Sequence, residues 1–205
     1  MFMIVALTML VYGLVHSWLA SAHLKQFIRR LVGDQRYYGL YRAGYNVMAI
    51  VTLTPVLGLI VFRPGNIIWQ VTGLGQYLFL LIQITGWIGV IVSLFQIQLG
   101  QFIGLTQVIA YLRGIQLPLP NEPLQFGGLY RLVRHPLYLF SLLMIWPMST
   151  MTESLLAFNI AATIYFIAGS ILEERKLAAI YGEAYRDYQR RTPALVPFIH
   201  RLREH

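Results

Sequence analysis

Two groups of charged residues border apolar stretches and have the side chains needed to bind a small zwitterion. Arg131, Arg134 and His135 directly precede one apolar stretch, and the pair Glu173 and Glu174 directly follows another. Basic side chains and the free N–H groups at a helix start bind anions, whereas adjacent carboxylates repel each other and bind cations. If the fold brings the basic and the acidic groups together, we predict a pocket for a ligand that carries both a negative and a positive charge.

Both groups also have ordinary explanations. Basic residues before a membrane span are common topology signals, which applies to Arg131 in particular. A pair of glutamates followed by Arg175 and Lys176 can be a solvated cluster that balances its own charge. Pro136 suits the first turn of a helix and biases His135 away from helical geometry, so the histidine is expected at a corner. The residues alone leave both explanations open.

The composition around these groups is that of a membrane protein. Of the 205 residues, 57% are hydrophobic and 12% are charged, compared with roughly 25% charged residues in a soluble domain. Because lipid offers backbone groups no partner, each long apolar run is expected to be a helix. We predict an all-α fold: one polytopic membrane domain, residues 1–205, with a cytoplasmic C-terminal helix. Its transmembrane helices, about five, are expected at 2–22, 43–62, 77–99, 136–150 and 154–172.

The fourth of these spans is short for a straight crossing of the bilayer. Trp146, Pro147 and the polar run that follows them are expected to turn the chain, so that 136–172 forms a tight helical hairpin. Its antiparallel arrangement would bring the two charged groups together. The C-terminal helix, 173–190, and a tail with Pro193 and Pro197 are expected to lie against the membrane or the bundle. The cofactor-binding core is therefore predicted within 100–197.

The basic residues predict an orientation. All 16 Lys and Arg residues except Arg63 follow span one, three or five, and such residues favour cytoplasmic loops. We therefore expect an external N-terminus and a cytoplasmic C-terminus. The net charge of +8 then suits anionic lipid, and nucleic acid is not expected as a partner. The chain has no cysteine, which excludes disulfides, thiolate metal sites and cysteine nucleophiles, and no metal site is expected.

A few polar residues fall inside the predicted spans. His16 and Ser17 lie in the first span and Asn46 lies in the second. Ionisable groups at this depth are functional hypotheses, whereas Ser17 and Asn46 can simply join helices. For His16, a pocket for a substrate and a hydrogen bond between helices both remain open, with haem ligation behind them.

Four short motifs in the last third of the chain resemble a family of membrane methyltransferases. They are "RHPLY", "EERKL", "YGEAYRDY" and "RTPALVP". In order and interval they resemble the isoprenylcysteine carboxyl methyltransferase and phospholipid methyltransferase superfamily, whose pattern is Arg-His-Pro-x-Tyr-x-Gly followed by Glu-Glu. The stretches "YRAGYN", "FIGLTQV" and "WPMSTMTESLLAF" are similar to its methanethiol S-methyltransferase-like branch.

The resemblance implies an integral membrane enzyme that transfers a methyl group from S-adenosylmethionine, with the cofactor near the cytoplasmic face. It favours a small thiol or another hydrophobic or lipid-like acceptor, with prenylated cysteine carboxylates and phospholipid amines still open. Carried over onto matching positions, it implies that cofactor-binding residues surround the two charged groups, with a weaker set for adenine. These residues are Arg134, His135, Pro136, Tyr138, Glu173 and Glu174, and then Gln107, Tyr130 and Tyr185.

The chemistry itself assigns no catalytic residue. Methyl transfer from a sulfonium is a single displacement, so the protein chiefly aligns donor and acceptor and excludes water. A thiolate acceptor arrives ionised, whereas an amine or hydroxyl must lose a proton and would make His135 or a glutamate a candidate base.

One position departs from the family pattern, because the glycine after the Arg-His-Pro motif is Phe140 in this chain. If that glycine allows close packing against the cofactor, a phenyl ring reshapes the wall of the site. The alternative is therefore a non-catalytic membrane protein that keeps the scaffold for binding or assembly. Cofactor binding would distinguish the two.

Overall fold

The computed structural model of the chain describes residues 1–120 and 123–197. The described residues form long apolar helices, shorter connecting helices and two short strands. The helices are α1 (Phe2–Ala20), α2 (Ala22–Val32), α3 (Asp34–Phe62), α4 (Leu74–Phe95), α5 (Leu99–Ile103), α6 (Leu105–Leu112), α7 (Pro136–Ile145), α8 (Glu153–Tyr181) and α9 (Glu183–Arg191), and the strands are β1 (Ile67–Gln70) and β2 (Thr150–Thr152). Residues 198–205, which include the end of the predicted apolar tail, lie outside the described part.

Four of the helices, α1, α3, α4 and α8, are long and apolar enough to cross a bilayer, with mean hydropathies of 1.9 to 2.2. They confirm the prediction of a polytopic helical membrane protein. The fourth predicted span, 136–150, is shorter than expected. Its helix α7 has 10 residues, about 15 Å at 1.5 Å per residue, which is half of a hydrocarbon core of roughly 30 Å.

The chain after α7 becomes extended because it pairs with a distant strand. β2 lies antiparallel to β1, with Trp69 opposite Met151 and Gln70 opposite Thr150. The indole Nε1 of Trp69 also donates to the carbonyl of Met148, 3.2 Å away. This pairing replaces helical hydrogen bonds, so the turn of the predicted hairpin includes a small sheet that the apolar pattern did not reveal.

The described residues divide into two compact units. The first holds α1, α2, α3, α5, α6 and the first six residues of α8, and the second holds β1, α4, α7, β2, the rest of α8 and α9. The assignment of 1–205 to a single domain stays a prediction.

In the first unit, α1 packs antiparallel to α3 through polar side chains. The Tyr41 hydroxyl donates to the carbonyl of Leu19, and His16 Nε2 forms a hydrogen bond with the Tyr45 hydroxyl. His16 therefore takes part in a hydrogen bond between helices, which is one of the two roles that the sequence left open. Asn46 Nδ2 donates to the carbonyl of Phe102, 3.2 Å away, and joins α3 to α5.

In the second unit, side-chain amides accommodate the early end of α7. Helix C-termini leave carbonyl groups without helical partners, and inside a membrane each such group needs another donor. Gln83 of α4 donates to the carbonyl of Met144 at 3.3 Å, and Asn159 of α8 donates to the carbonyl of Ile145 at 2.8 Å. These two amides allow a helix to stop within the bundle.

The close approach of α4 and α7 depends on two glycines of α4. A β-carbon at residue 86 would lie 2.6 Å from the backbone nitrogen of Met144, and one at residue 89 would lie 2.0 Å from the Phe140 ring. Phe140 therefore fits this chain because it packs against a glycine on the neighbouring helix. Small residues at such contacts are the usual means of close helix packing in membranes.

We expect Gly89→Ala to destabilise the protein by about 1–3 kcal/mol, the usual cost of overpacking a filled interior. The added methyl group would enter the Phe140 ring, which cannot move away as a flexible chain end can. Thermal unfolding in detergent measures the effect, with Gly58→Ala of α3 as the control because its β-carbon would meet nothing within 4 Å. In a double variant with Phe140→Ala the two losses should not add. Unchanged stability of Gly89→Ala would contradict this packing.

Candidate functional site

The α7–α8 hairpin brings the two charged groups of the sequence together. At one end, the Tyr138 hydroxyl donates to Glu173 Oε2 at 3.1 Å, and the Tyr138 ring stacks on Phe166 with 5.1 Å between centroids. At the other end, Trp146 Nε1 donates to Thr163 Oγ1 at 2.9 Å. These contacts make the two helices antiparallel, and they place the start of α7 beside Glu173 and Glu174.

Glu174 is the centre of a dense network of hydrogen bonds. Its Oε1 accepts from Arg134 Nε at 2.8 Å and Nη2 at 2.5 Å, and lies 3.1 Å from His135 Nε2. Its Oε2 accepts from Gln189 Nε2 at 3.0 Å. The side chains of Arg134 and Glu174 are only 10% and 17% exposed. Both carboxylate oxygens are therefore engaged within the protein.

Arg134 also binds the end of α9. Its Nη1 donates to the carbonyls of Gln189 at 3.0 Å and Thr192 at 2.5 Å, which places a positive charge where the helix dipole favours one. The backbone continues this contact, since the N–H of Arg134 donates to Pro193 and the N–H of His135 donates to Ala194. The segment that follows α9 is thereby fixed onto the corner before α7.

Glu173 has a different environment from its neighbour. Its side chain is 47% exposed, and it accepts a hydrogen bond from Tyr138 and lies 3.6 Å from His135 Nδ1. Adjacent residues of a helix point about 100° apart, so one glutamate faces the arginine while the other faces outward. A carboxylate of this kind can bind a cationic ligand without breaking an internal ion pair.

Aromatic side chains surround the charged groups. Tyr138 is stacked between His135 and Phe166, and the Tyr188 hydroxyl donates to the carbonyl of Tyr130 at 2.5 Å. Tyr185 is 1% exposed, and its hydroxyl is buried with no hydrogen-bond partner among the described residues. Burial, and then the nearby Glu174 carboxylate, raises the pKa of Tyr185 above its usual value. Tyr185 is therefore a neutral phenol with an unused donor.

The remaining predicted site residues have varied positions. Pro136 is buried at the first turn of α7, as its ring requires. Gln107 belongs to the first unit, where it is buried and donates to the carbonyl of Gln101 at 3.2 Å. Its Oε1 is buried with no hydrogen-bond partner among the described residues. Arg131 is exposed, in agreement with its explanation as a topology signal.

The departure at Phe140 falls outside the charged groups. The ring packs against Gly89 of α4, whereas Tyr138, two residues earlier, contacts Glu173 of α8. Two residues turn a helix by about 200°, so the two rings occupy opposite sides of α7. The phenyl ring is thus accommodated by α4, away from the glutamate pair.

Sequence reasoning missed three residues of this site, namely Gln189, Thr192 and Phe166. Gln189 lies four residues after Tyr185, on the buried side of α9, so the helical spacing could have revealed it. Thr192 contributes only its backbone carbonyl, which carries no signal in residue type. Phe166 lies within a uniformly apolar span, where one aromatic residue does not stand out.

The fold and the site define a polytopic membrane protein with an ion cluster at one end of a helical hairpin. Residues 84–184 match the family model described as phospholipid methyltransferase, and this range includes the second half of α4, the whole of α7 and α8, and both charged groups. No solved structure matches the chain.

Named relatives extend the match over most of the chain. The methanethiol S-methyltransferase of Crocosphaera subtropica is 34% identical over 193 residues, which cover 92% of this chain and 72% of that protein. The enzymes of the same name from Mycobacterium tuberculosis and Pseudomonas deceptionensis are 33% and 31% identical, over 93% of this chain and 76% and 70% of theirs. The chain therefore belongs to the phospholipid methyltransferase superfamily, in its methanethiol S-methyltransferase branch.

Proposed function

We propose that this chain is an integral membrane methyltransferase that transfers the methyl group of S-adenosylmethionine to a small thiol. The observation that carries the proposal is the cluster at the start of α7, where Arg134 and His135 bind Glu174 and leave Glu173 half exposed beside Tyr138. The relatives named methanethiol S-methyltransferase support a thiol as the acceptor.

The residues of this cluster fit a ligand with an ammonium, a sulfonium and a carboxylate. The outward carboxylate of Glu173 suits a cationic group, and the unused phenol of Tyr185 suits an acceptor atom of the ligand. Arg134, His135 and Pro136 form the turn at the start of α7, which is held by backbone hydrogen bonds to Pro193 and Ala194 and which lies beside the Glu173 carboxylate. Tyr130 and Tyr138 are further candidates to contact the nucleoside. Gln107 lies in the first unit, and its role stays a prediction.

The two glutamates have separate roles in this proposal. Glu174 is bonded by Arg134, His135 and Gln189, so it positions the corner and the end of α9. Glu173 contacts the cofactor. His135 lies between the two carboxylates, with Nε2 3.1 Å from Glu174 Oε1 and Nδ1 3.6 Å from Glu173 Oε2.

When bound, S-adenosylmethionine supplies a methyl group activated by its positive sulfur. A thiol acceptor reacts as its thiolate, and its proton is lost to solvent before the acceptor is enclosed, so the chain's task is to align the two reactants and exclude water. We therefore assign no catalytic side chain.

The orientation in the membrane also remains a proposal. The clustering of basic residues supports an external N-terminus and a cytoplasmic C-terminus, with the cofactor entering from the cytoplasm. A reporter fused to the C-terminus should be active only in the cytoplasm, and activity on the external side would reverse the assignment.

Calorimetric titration of the purified protein with S-adenosylmethionine and S-adenosylhomocysteine, in detergent and in lipid, tests the proposal. We expect saturable binding of both, and transfer of a labelled methyl group to methanethiol to give dimethyl sulfide. Cofactor binding without methyl transfer to methanethiol would contradict the proposed acceptor but would agree with the proposed cofactor. Absence of binding by folded protein would favour a non-catalytic protein that keeps the scaffold.

A further inference from the structure

Helix α2 carries apolar side chains that its own unit leaves uncovered. None of its 11 residues is buried, and Phe27 and Leu31 are 63% and 73% exposed. The two residues are four apart, so their side chains are neighbours on one face of the helix. Leu24 and Ile28, on the adjoining face, are half-buried. The apolar face of α2 is therefore wider than the surface that packs inside the protein.

Basic and polar side chains border the exposed pair. At 100° per residue, His23 and Arg30 lie next to Phe27 on the side away from Leu24 and Ile28, and both are exposed. An exposed apolar strip edged by polar and cationic side chains, here His23 and Arg30, is the pattern of a helix that lies in a bilayer interface, where apolar groups enter the acyl region and cations reach phosphate.

The start of α2 lies at the level where the apolar part of α3 begins. The Tyr41 hydroxyl donates to the carbonyl of Leu19, so the end of α1 is level with Tyr41. Residues 43–62 of α3, which follow directly, carry no charge. Extended backbone at Ser21 then turns the chain out of α1, and its Oγ accepts from the N–H of Leu24 at 3.3 Å. Thus α2 begins level with the start of the uncharged, apolar part of α3, where a membrane span would meet its interface.

The other end of α2 is fixed in rotation. Arg29 forms two hydrogen bonds with Asp34 at the start of α3, at 2.7 and 2.6 Å, and its guanidinium lies 5.2 Å from the centre of the Tyr38 ring. Since Arg29 is held toward α3, Phe27 and Leu31 cannot rotate inward without breaking these contacts. Their exposure follows from the way α2 is attached at both ends.

We propose that α2 is an interfacial helix that binds the bilayer through Phe27 and Leu31 and binds anionic phosphate headgroups through Arg30. The occupant of this face is lipid because α2 is continuous with membrane helices at both ends and the cation Arg30 is exposed at its border. The proposal concerns a lipid contact and is independent of the methyltransferase activity proposed above.

The absence of cysteine in the chain makes a direct test possible, because one introduced cysteine can carry an environment-sensitive fluorophore. Phe27→Cys and Leu31→Cys are labelled in the full-length protein and reconstituted into phosphatidylcholine vesicles, with and without phosphatidylglycerol. Gln26→Cys, exposed on another face of the same helix, is the matched control. We expect blue-shifted emission and several-fold stronger quenching by spin-labelled lipid at positions 27 and 31 than at 26.

The charged contribution is tested in the same vesicles. Arg30→Gln in the Phe27→Cys background should reduce the additional blue shift that phosphatidylglycerol produces. Equal quenching at positions 26, 27 and 31 would overturn the proposal. A shift that grows with the ratio of protein to lipid, and not with lipid composition, would mean that a second copy of the chain covers this face and would overturn it as well.

Discussion

Replacement of Glu173 by glutamine should lower the affinity for S-adenosylmethionine by roughly 10- to 100-fold, the loss of about 1.5–3 kcal/mol that a hydrogen bond to a charged group contributes. The substitution keeps the shape of the side chain and removes its charge. Because Glu173 is half exposed and outside the buried ion pair, the melting temperature should hardly change. Calorimetric titration and thermal unfolding of the same preparation measure both quantities.

Glu183→Gln is the matched control for this substitution. Glu183 is also a helical glutamate near the end of the chain, but its partners are the exposed Arg186 and Arg190 of α9. It should leave cofactor affinity unchanged. If Glu173→Gln binds the cofactor as tightly as the unmodified chain, Glu173 is outside the site and the proposed division between the two glutamates fails.

Replacement of Arg134 by glutamine should destabilise the protein by about 3–5 kcal/mol, the usual cost of leaving one member of a buried ion pair without its partner. The substitution removes the guanidinium from Glu174 and from the carbonyls of Gln189 and Thr192. We therefore expect α9 and the segment after it to detach before the rest unfolds. Trypsin should then cleave after Arg190 or Arg191 much faster than in the unmodified chain.

Two comparisons separate this effect from a general loss of charge. Arg190→Gln removes an exposed arginine whose partners are Glu183 and Asp187, and it should change stability very little. The double variant Arg134→Gln with Glu174→Gln no longer buries a lone carboxylate, so it should be more stable than the sum of the single losses. Unaltered trypsin cleavage in Arg134→Gln would contradict the anchoring of α9.

The class of fold was predictable because lipid imposes a simple rule. Long uncharged runs must be helical, and α1, α3, α4 and α8 follow from hydropathy alone. The ends of these helices were less predictable. Asp34 begins α3 nine residues before the predicted span, whereas the continuation of α8 to Tyr181 agrees with the helix predicted from residue 173 onward. A helix that leaves the membrane keeps its own hydrogen bonds, so it can extend beyond the apolar run.

The early end of α7 has a local and a distant cause. Pro147 follows the last turn and favours a helix end there, as the sequence indicated. The pairing of β2 with β1 and the amides of Gln83 and Asn159, which satisfy the exposed carbonyls, come from residues far away in sequence. The helix is also interrupted at Gly182, between α8 and α9, and the sequence gives no clear signal for this break. A glycine inside a helical pattern is tolerated, so its φ of 58° between α8 and α9 was not foreseen.

The meeting of the two charged groups was predictable from the hairpin, but their arrangement was not. Sequence treats Glu173 and Glu174 as equivalent neighbours. Their different roles follow from the direction in which each points around α8, and from the return of the segment after α9 to Arg134. Such details depend on three elements packing at once, which no local pattern encodes.

The anchoring of Arg134 has a consequence for the order in which the protein matures. During synthesis, Arg134 is made 58 residues before Thr192, the carbonyl that its guanidinium binds. A nascent chain that has just completed α8 already holds both charged groups, yet it lacks Gln189 and the carbonyls that engage Arg134. The last part of the described chain to emerge from the ribosome therefore completes the cluster around Arg134 and Glu174, and messages truncated before Thr192 should yield membrane-inserted protein that lacks the methyl transfer proposed above.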